Sequence, residues 1–175
     1  MKKYLKPLAL FTVITIIFGT IYVSAQQILR MGANDPQIQM AQDTAAKLNN
    51  DNKPAALAGD KIDVSTSLAP FTLIYDKQGK NVSSAAYTGS QPLRDISFGV
   101  LQSTGSGYNA VTWQPETNVR LAAVVVKAND YFVVSARNIV EVEKCESTVL
   151  WLAALGWLLS LAVVASAYWL SKYLK

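Results

Sequence analysis

The chain has 175 residues, 51% of them hydrophobic and only 16% charged, with one cysteine and no histidine. A single cysteine excludes an intrachain disulfide, and without histidine the commonest general base and metal ligand is missing. The net charge of +4 belongs to the ends: Lys2, Lys3, Lys6, Lys172 and Lys175 lie outside residues 26–148, which carry eleven Lys/Arg against twelve Asp/Glu, so the basic balance does not point to nucleic acid.

Pro7 to Ala25 is 19 residues without a charge, and Val149 to Leu170 is 22. At about 1.5 Å per helical residue, each is long enough to cross a hydrocarbon core of roughly 30 Å. The organisation expected is a short N-terminus (1–6), a first span (7–25), a middle domain (26–148), a second span (149–170) and a tail (171–175). Lys/Arg excess marks the cytoplasmic side. Both ends are therefore expected inside and the middle domain outside, with Tyr4, Tyr22, Trp151, Tyr168, Trp169 and Tyr173 at the interfaces of the lipid bilayer. Lys2-Lys3, the apolar run to Val23 and then Val23-Ser24-Ala25 also fit a cleavable signal peptide. Either way the middle domain is exported.

Gln26 to Arg30 extends the first helix. Asn34-Asp35-Pro36 predicts a break and a new start, with Asp35 as cap and Pro36 in the first turn. Ile38, Ala41, Ala45 and Leu48 then form one apolar stripe, which the run Asn49 to Pro54 ends. Ala55 to Ser67 reads as irregular with a short helix.

From Ala69 the pattern turns to β. Phe71 to Tyr75 is a strand, Asp76 to Lys80 a turn with Gly79 able to take positive φ, and Val82 to Tyr87 the return strand. Leu93, Ile96 and Val100 predict a short helix over Gln91 to Gln102. Thr104 to Gly107 is a connector, Ala110 to Gln114 a strand, and Pro115 to Asn118 a turn. Val119 to Lys127 is apolar on both faces, as a central strand is. Asn129-Asp130 turns into a last strand, Tyr131 to Ala136, which runs through Arg137-Asn138 into a helical pattern, Ile139 to Glu146, joined to the second span. The fold class predicted is α+β: a small antiparallel sheet with flanking helices, bracketed by two transmembrane helices.

Little catalytic chemistry is legible. Gly105-Ser106-Gly107 lacks the Gly-Lys of a phosphate loop. Asp60 and Asp63 sit in a loop, and Glu141 and Glu143 are two apart on a helix, on different faces. No metal site, cofactor or enzymatic activity is expected. Arg120 and Arg137 are the most suggestive pair. A two-residue loop between their strands places them on one sheet face, nearly opposite, where like charges repel and a bound carboxylate resolves the repulsion. The alternative is that both lie at the membrane-near rim of the sheet, solvated or paired with Glu116, Glu141 or lipid phosphate. Trp113 and Tyr75 line either a ligand pocket or the core. In the second span Gly156 and Ser160, four apart, allow close helix approach. They serve either packing of the two spans on each other or pairing with a second copy or another membrane protein. Cys145 reads as a small apolar residue on a helix or as an interchain disulfide partner.

The hairpin Phe71-Thr72-Leu73-Ile74-Tyr75-Asp76-Lys77-Gln78-Gly79-Lys80, the run Val111-Thr112-Trp113-Gln114-Pro115, Val119 to Val126 and the last strand feeding a helix resemble the extracytoplasmic PAS-like sensor domains, of the PDC or Cache group, of bacterial membrane receptors. Ala33-Asn34-Asp35-Pro36-Gln37-Ile38-Gln39 with Trp113-Gln114-Pro115 is also similar to small two-span bacterial membrane proteins. The resemblance covers roughly Ala33 to Glu146. It implies a sensor or accessory module of a bacterial plasma membrane that binds a small acidic ligand or a protein partner. With five residues after the second span, the chain is expected to act through another membrane protein. The alternative is a structural subunit of an envelope complex whose domain is a protein-binding surface.

Overall fold

The computed structural model describes residues 2–50, 53–57 and 59–174. It is an α+β protein: an antiparallel sheet with flanking helices, and at each end a helix long and apolar enough to span a membrane. Of the expected helix-terminating run, Asp51 and Asn52 lie outside the described residues, as do Lys175 and the side chains of Lys2, Lys3 and Tyr4.

The first helix, α1, is continuous over Lys2–Asn49. The break expected at Asn34 to Pro36 does not occur, and Val23-Ser24-Ala25 lies within the helix. A proline inside a helix removes one hydrogen bond and crowds the carbonyl four residues back, which here belongs to Gly32. Two features offset this. Ala33, Gln37, Ala41, Ala45 and Leu48 are buried along one stripe that passes through Pro36 without losing phase. The Gln37 carboxamide, with its nitrogen toward the helix, donates to the carbonyls of Ala33 and Asn34. Tertiary burial thus overrides the local stop signal.

A 3-10 turn at Pro54–Ala56 follows, then β1 (Ile62–Asp63), β2 (Phe71–Asp76), β3 (Asn81–Ser84), β4 (Ala86–Thr88), β5 (Gln91–Pro92), α2 (Phe98–Gln102), β6 (Tyr108–Glu116), β7 (Val119–Ala128), β8 (Tyr131–Asn138) and α3 (Val140–Tyr173). Five strands form the main sheet in the order β3-β2-β8-β7-β6, every neighbouring pair antiparallel. The expected return strand Val82 to Tyr87 is split. Its first half is β3; at Ala85 the chain leaves the main sheet, and β4 joins a second small sheet ordered β1-β4-β5. The helix expected over Gln91 to Gln102 is confined to Phe98–Gln102, because Gln91 and Pro92 pair with Thr88 and Tyr87 of β4 as strand β5. Leu93 and Ile96 are buried all the same. The turn expected at Pro115 starts later: β6 continues through Pro115 to Glu116 with a register shift after Trp113, as an edge strand permits.

Two compact units result. One contains residues up to Arg30 and from Val142 onward; the other is Met31–Glu141. In the first, α1 and α3 present apolar side chains outward: Leu8, Ile16, Leu152 and Val163 are 61%, 61%, 64% and 68% exposed. In water such a surface is unfavourable by about 25 cal/mol per Å², and it suits hydrocarbon surroundings. In the second unit both sheet faces are covered. On one face Phe71, Leu73, Tyr75, Leu121, Ala123, Val125 and Val134 pack with Val64, Leu93, Ile96 and Leu101. On the other, Ile74, Val124, Val126 and Val133 pack with Ala41, Ala45 and Leu48 of α1. This two-sided burial is why β7 and β8 lack polar alternation.

Candidate functional site

The turn between β7 and β8 is the two-residue loop Asn129-Asp130, with Asn129 at φ 43°. The register that follows pairs Ala122 with Arg137 and Leu121 with Asn138, and the Ile139 N–H donates to the Arg120 carbonyl at 3.1 Å. Arg120 and Arg137 therefore share a sheet face but stand one diagonal step apart rather than opposite. Residues so placed are about 7–8 Å apart. Their face is the one α1 covers. It grades along the strands: Ile74, Val126 and Val133 lie in one cross-strand row, Thr72, Val124 and Ser135 in the next, then Ala122 and Arg137. Thr72 Oγ1 and Ser135 Oγ, both buried, lie 3.3 Å apart and share a hydrogen bond. Arg120 is exposed and Arg137 half-buried.

Tyr75 and Trp113 are on the opposite face. Tyr75 is fully buried in the core cluster. Its hydroxyl finds no hydrogen-bond partner of good geometry, although Asp95, Asn81 and the Ile96 backbone lie around it. Burial first, and then the Asp95 charge, push its ionisation well above the ordinary tyrosine range. Asn81 Nδ2 donates to Asp95 Oδ1 at 3.2 Å. Trp113 is half-buried on edge strand β6, opposite Leu121, and packs at the border of the same cluster. The sheet thus separates the two arginines from the two aromatics, and these four side chains do not converge on one site.

The space over the Tyr75 face is filled by Val64, Leu93, Ile96 and Leu101. Open clefts lie beside β5. One, of about 830 Å³, is lined by Gln91, Arg94, Gln114, Glu116, Thr117 and Asn118. Another, of about 500 Å³, includes Lys61, Tyr87 and Gly89. Among the described residues, no group of three or more His, Cys, Asp or Glu could hold a metal ion.

Asn138, at the end of β8, was not singled out from sequence. Its Nδ2 donates to the Val64 carbonyl and its Oδ1 accepts from the Val140 N–H, each at 2.9 Å. An Asn just ahead of a helical pattern is a cap signal, so this role was open to recognition. Asp95 and Asn81 carried no such signal, since their proximity depends on the irregular path between β5 and α2.

In the helical unit, the Phe18 ring occupies the place a side chain on Gly156 would take, 2.6 Å from a Cβ built there. Ser160 Oγ donates to the Gly156 carbonyl at 2.8 Å, so it satisfies its own helix. Trp157 Nε1 donates to Thr15 Oγ1 at 3.0 Å, and Phe11 meets Trp157 edge-on at 6.1 Å. Arg30 Nε bonds Glu146 Oε1 at 2.8 Å. Gly156 therefore serves the contact between α1 and α3. Cys145 is exposed on α3.

No protein-family model matches the chain, and no curated protein is similar. A crystal structure of a methyl-accepting chemotaxis protein from Vibrio parahaemolyticus is similar over 69% of this chain and 98% of its own, at 15% identity and a TM-score of 0.43.

Proposed function

We propose that this chain is a non-enzymatic sensor or accessory module of a bacterial plasma membrane, with both ends cytoplasmic and residues 26–148 extracytoplasmic, acting through another membrane protein. The observation that carries this reading is the junction of β8 with α3. One residue, Ile139, separates them, Asn138 caps the helix, and α3 then continues without Gly or Pro as far as Gly156. The helix that follows the central strand is thus one of the two that are long and apolar enough to span a membrane. The lysines at both ends and the sequence resemblance to PAS-like receptor domains support the orientation and the role.

Two experiments test it. In intact cells with Cys145 replaced, a membrane-impermeant thiol reagent should label a cysteine at Gln78 and not one at Ser171; the reverse overturns the topology. Crosslinking in the native membrane should recover a second membrane protein. Inserting Gly-Gly-Gly after Glu143 should keep that partner but abolish its response. An intact response would favour a second reading, that of a structural subunit with a protein-binding surface. The filled space over Tyr75 favours that reading, as does edge strand β6, which carries no charged residue from Tyr108 to Gln114 and exposes Tyr108.

A further inference from the structure

The larger cleft beside β5 holds two opposite charges that nothing else in the fold uses. One wall is β5 and the segment after it; the other is the end of β6 and its turn into β7. Arg94 stands on the first wall and Glu116 on the second. Both are exposed, and among the described residues neither makes an ion pair or a side-chain hydrogen bond.

The chain around each of them is held in place. Arg94 lies between Leu93, which is buried, and Asp95, whose carboxylate accepts from Asn81 Nδ2 at 3.2 Å. Glu116 follows the buried Pro115 and pairs with Val119 across the turn. Pro92 and Pro115 fix φ on the two walls. Gln114 Nε2 donates to the Thr117 carbonyl at 2.9 Å, so the second wall is braced within itself. The walls are set, and the two charged groups are left to solvent.

Arg94 and Glu116 share a cleft of about 830 Å³ yet do not meet. A ligand with one charge finds only one exposed partner, a weak interaction in water. A ligand with both charges meets both partners for a single loss of translational and rotational freedom. A free amino acid carries its two charges on neighbouring carbons and is too short to span walls whose own long side chains leave a gap. A peptide separates its end charges by up to about 3.3–3.6 Å more for each added residue.

We propose that this cleft binds a short peptide with free ends, about two to four residues long. Its terminal carboxylate accepts two parallel N–H bonds from the Arg94 guanidinium, and its terminal ammonium donates to the Glu116 carboxylate. The carboxamides of Gln91 and Asn118, in the same lining, supply donors and acceptors for the peptide groups. A peptide so held ties the small sheet to the β6–β7 turn. That turn stands at the end of the main sheet where β8 passes into α3, since Leu121 of β7 pairs with Asn138. Any part in signalling rests on the function proposed above; binding itself does not.

The test reads binding directly. The full chain, 15N-labelled, is placed in phosphatidylcholine nanodiscs, and trialanine is titrated at constant ionic strength while the backbone amides of Thr117 and Asn118 are followed. A saturable shift is expected with trialanine and none with alanine. Arg94→Gln and Glu116→Gln should each weaken trialanine binding about fivefold, the upper range for an exposed ion pair. Capped peptides assign the ends. N-acetyl-trialanine should respond to Arg94→Gln and not to Glu116→Gln, and trialanine amide should do the reverse. The double exchange Arg94→Glu with Glu116→Arg should bind trialanine more tightly than either single exchange, because the peptide then lies reversed. No saturable shift with trialanine overturns the site. Alanine binding as tightly as trialanine overturns the assignment to a peptide, and capped peptides that respond equally to both variants overturn the placing of its ends. None of these readouts depends on topology or on a partner, so their failure is distinct from failure of the labelling and crosslinking tests above.

Discussion

The side chain of Asn138 donates to the main-chain carbonyl of Val64 across 2.9 Å, tying the last strand of the main sheet to the segment that follows β1. The same side chain accepts from Val140 N–H at the start of α3. One buried amide therefore holds three elements, and each of its halves has a separate task. Asn138→Asp keeps the acceptor for Val140 but sets a carboxylate against the Val64 carbonyl. Asn138→Ala leaves both groups unmatched. Each lost buried hydrogen bond costs about 1–3 kcal/mol. Asn138→Ala should lower the denaturant midpoint of the full chain, and Asn138→Asp should lower it at pH 7 and recover partly in acid, where a protonated Asp can donate. Denaturant titrations at pH 4 and pH 7 check this, and equal midpoints for the wild type and Asn138→Ala would refute it.

Tyr75 gives a prediction at the other end of the pH scale. Its hydroxyl is buried without a good partner, and its ionisation is pushed upward, first by burial and then by Asp95. A group whose folded pKa is raised contributes stability that is fully present below the unfolded value, about 10 for tyrosine, and is lost as pH rises through the folded one. Stability of the full chain should thus fall above about pH 10. Tyr75→Phe removes both the orphaned hydroxyl and this titration. It should be neutral or stabilising by about 1 kcal/mol at pH 7 and should flatten the alkaline decline. Melting curves from pH 8 to 11.5 measure both, and an unchanged alkaline slope in Tyr75→Phe would show that Tyr75 does not cause it.

The two apolar ends, the α+β class, the β2–β3 turn and the β7–β8 loop were legible because each rests on a local signal: uncharged length, periodicity, Gly79 at φ 80°, Asn129-Asp130. The misread elements share a different cause. Pro36 and Pro92 are both strong local signals, but at Pro36 a buried stripe from Ala33 to Leu48 outweighs the proline. Around Pro92 the spacing of Leu93 and Ile96 copies a helix although the chain is not helical there. The small sheet β1-β4-β5 has strands of two or three residues, too short for any periodicity to register. Among the candidate site residues, the shared face of Arg120 and Arg137 followed from loop length alone. The division of these arginines from Tyr75 and Trp113 did not, since it depends on how β2 and β6 align with β7 and β8. Trp113, read as lining either a ligand pocket or the core, stands at the core's edge because β6 is the outermost strand.

Asp63 predicts an acid limit for the small sheet. Its Oδ1 accepts from Ser65 Oγ at 2.6 Å, from Ser65 N–H at 3.0 Å and from Gly89 N–H at 3.4 Å. The Ser65 hydroxyl first, then the backbone donors, hold its pKa below the ordinary aspartate value. A depressed folded pKa gives stability that is present above the unfolded value, about 3.9, and is lost as pH falls through the folded one. Hydrogen exchange at β1 and β4 should therefore accelerate below about pH 4 relative to β7 and β8. Asp63→Asn should show the faster exchange already at pH 6 and little further change in acid. Identical acid profiles for the variant and the wild type would exclude Asp63 as the cause.

The α1–α3 contact joins a packing term to a polar one, and their magnitudes decide which dominates. Trp157 donates to Thr15 at 3.0 Å, but such bonds between membrane helices average only about 0.6 kcal/mol. The Phe18 ring fills the room left by the missing side chain of Gly156, with Cε1 2.6 Å and Cζ 3.1 Å from a Cβ built there. No side chain at position 156 fits unless that ring moves. Thr15→Val should therefore shift the SDS-unfolding midpoint of the full chain in mixed micelles only slightly. Gly156→Leu should shift it much further, with Gly156→Ala between them. Phe18→Ala costs packing on its own, yet combined with Gly156→Leu it should recover part of the loss, because the leucine then enters the space the ring vacates. Contacting residues depart from additivity by about 0.5–3 kcal/mol, so the double-mutant cycle separates this pair from the background. Strict additivity of Phe18→Ala and Gly156→Leu, or a Thr15→Val effect as large as that of Gly156→Leu, would show that the helices are not held through Gly156.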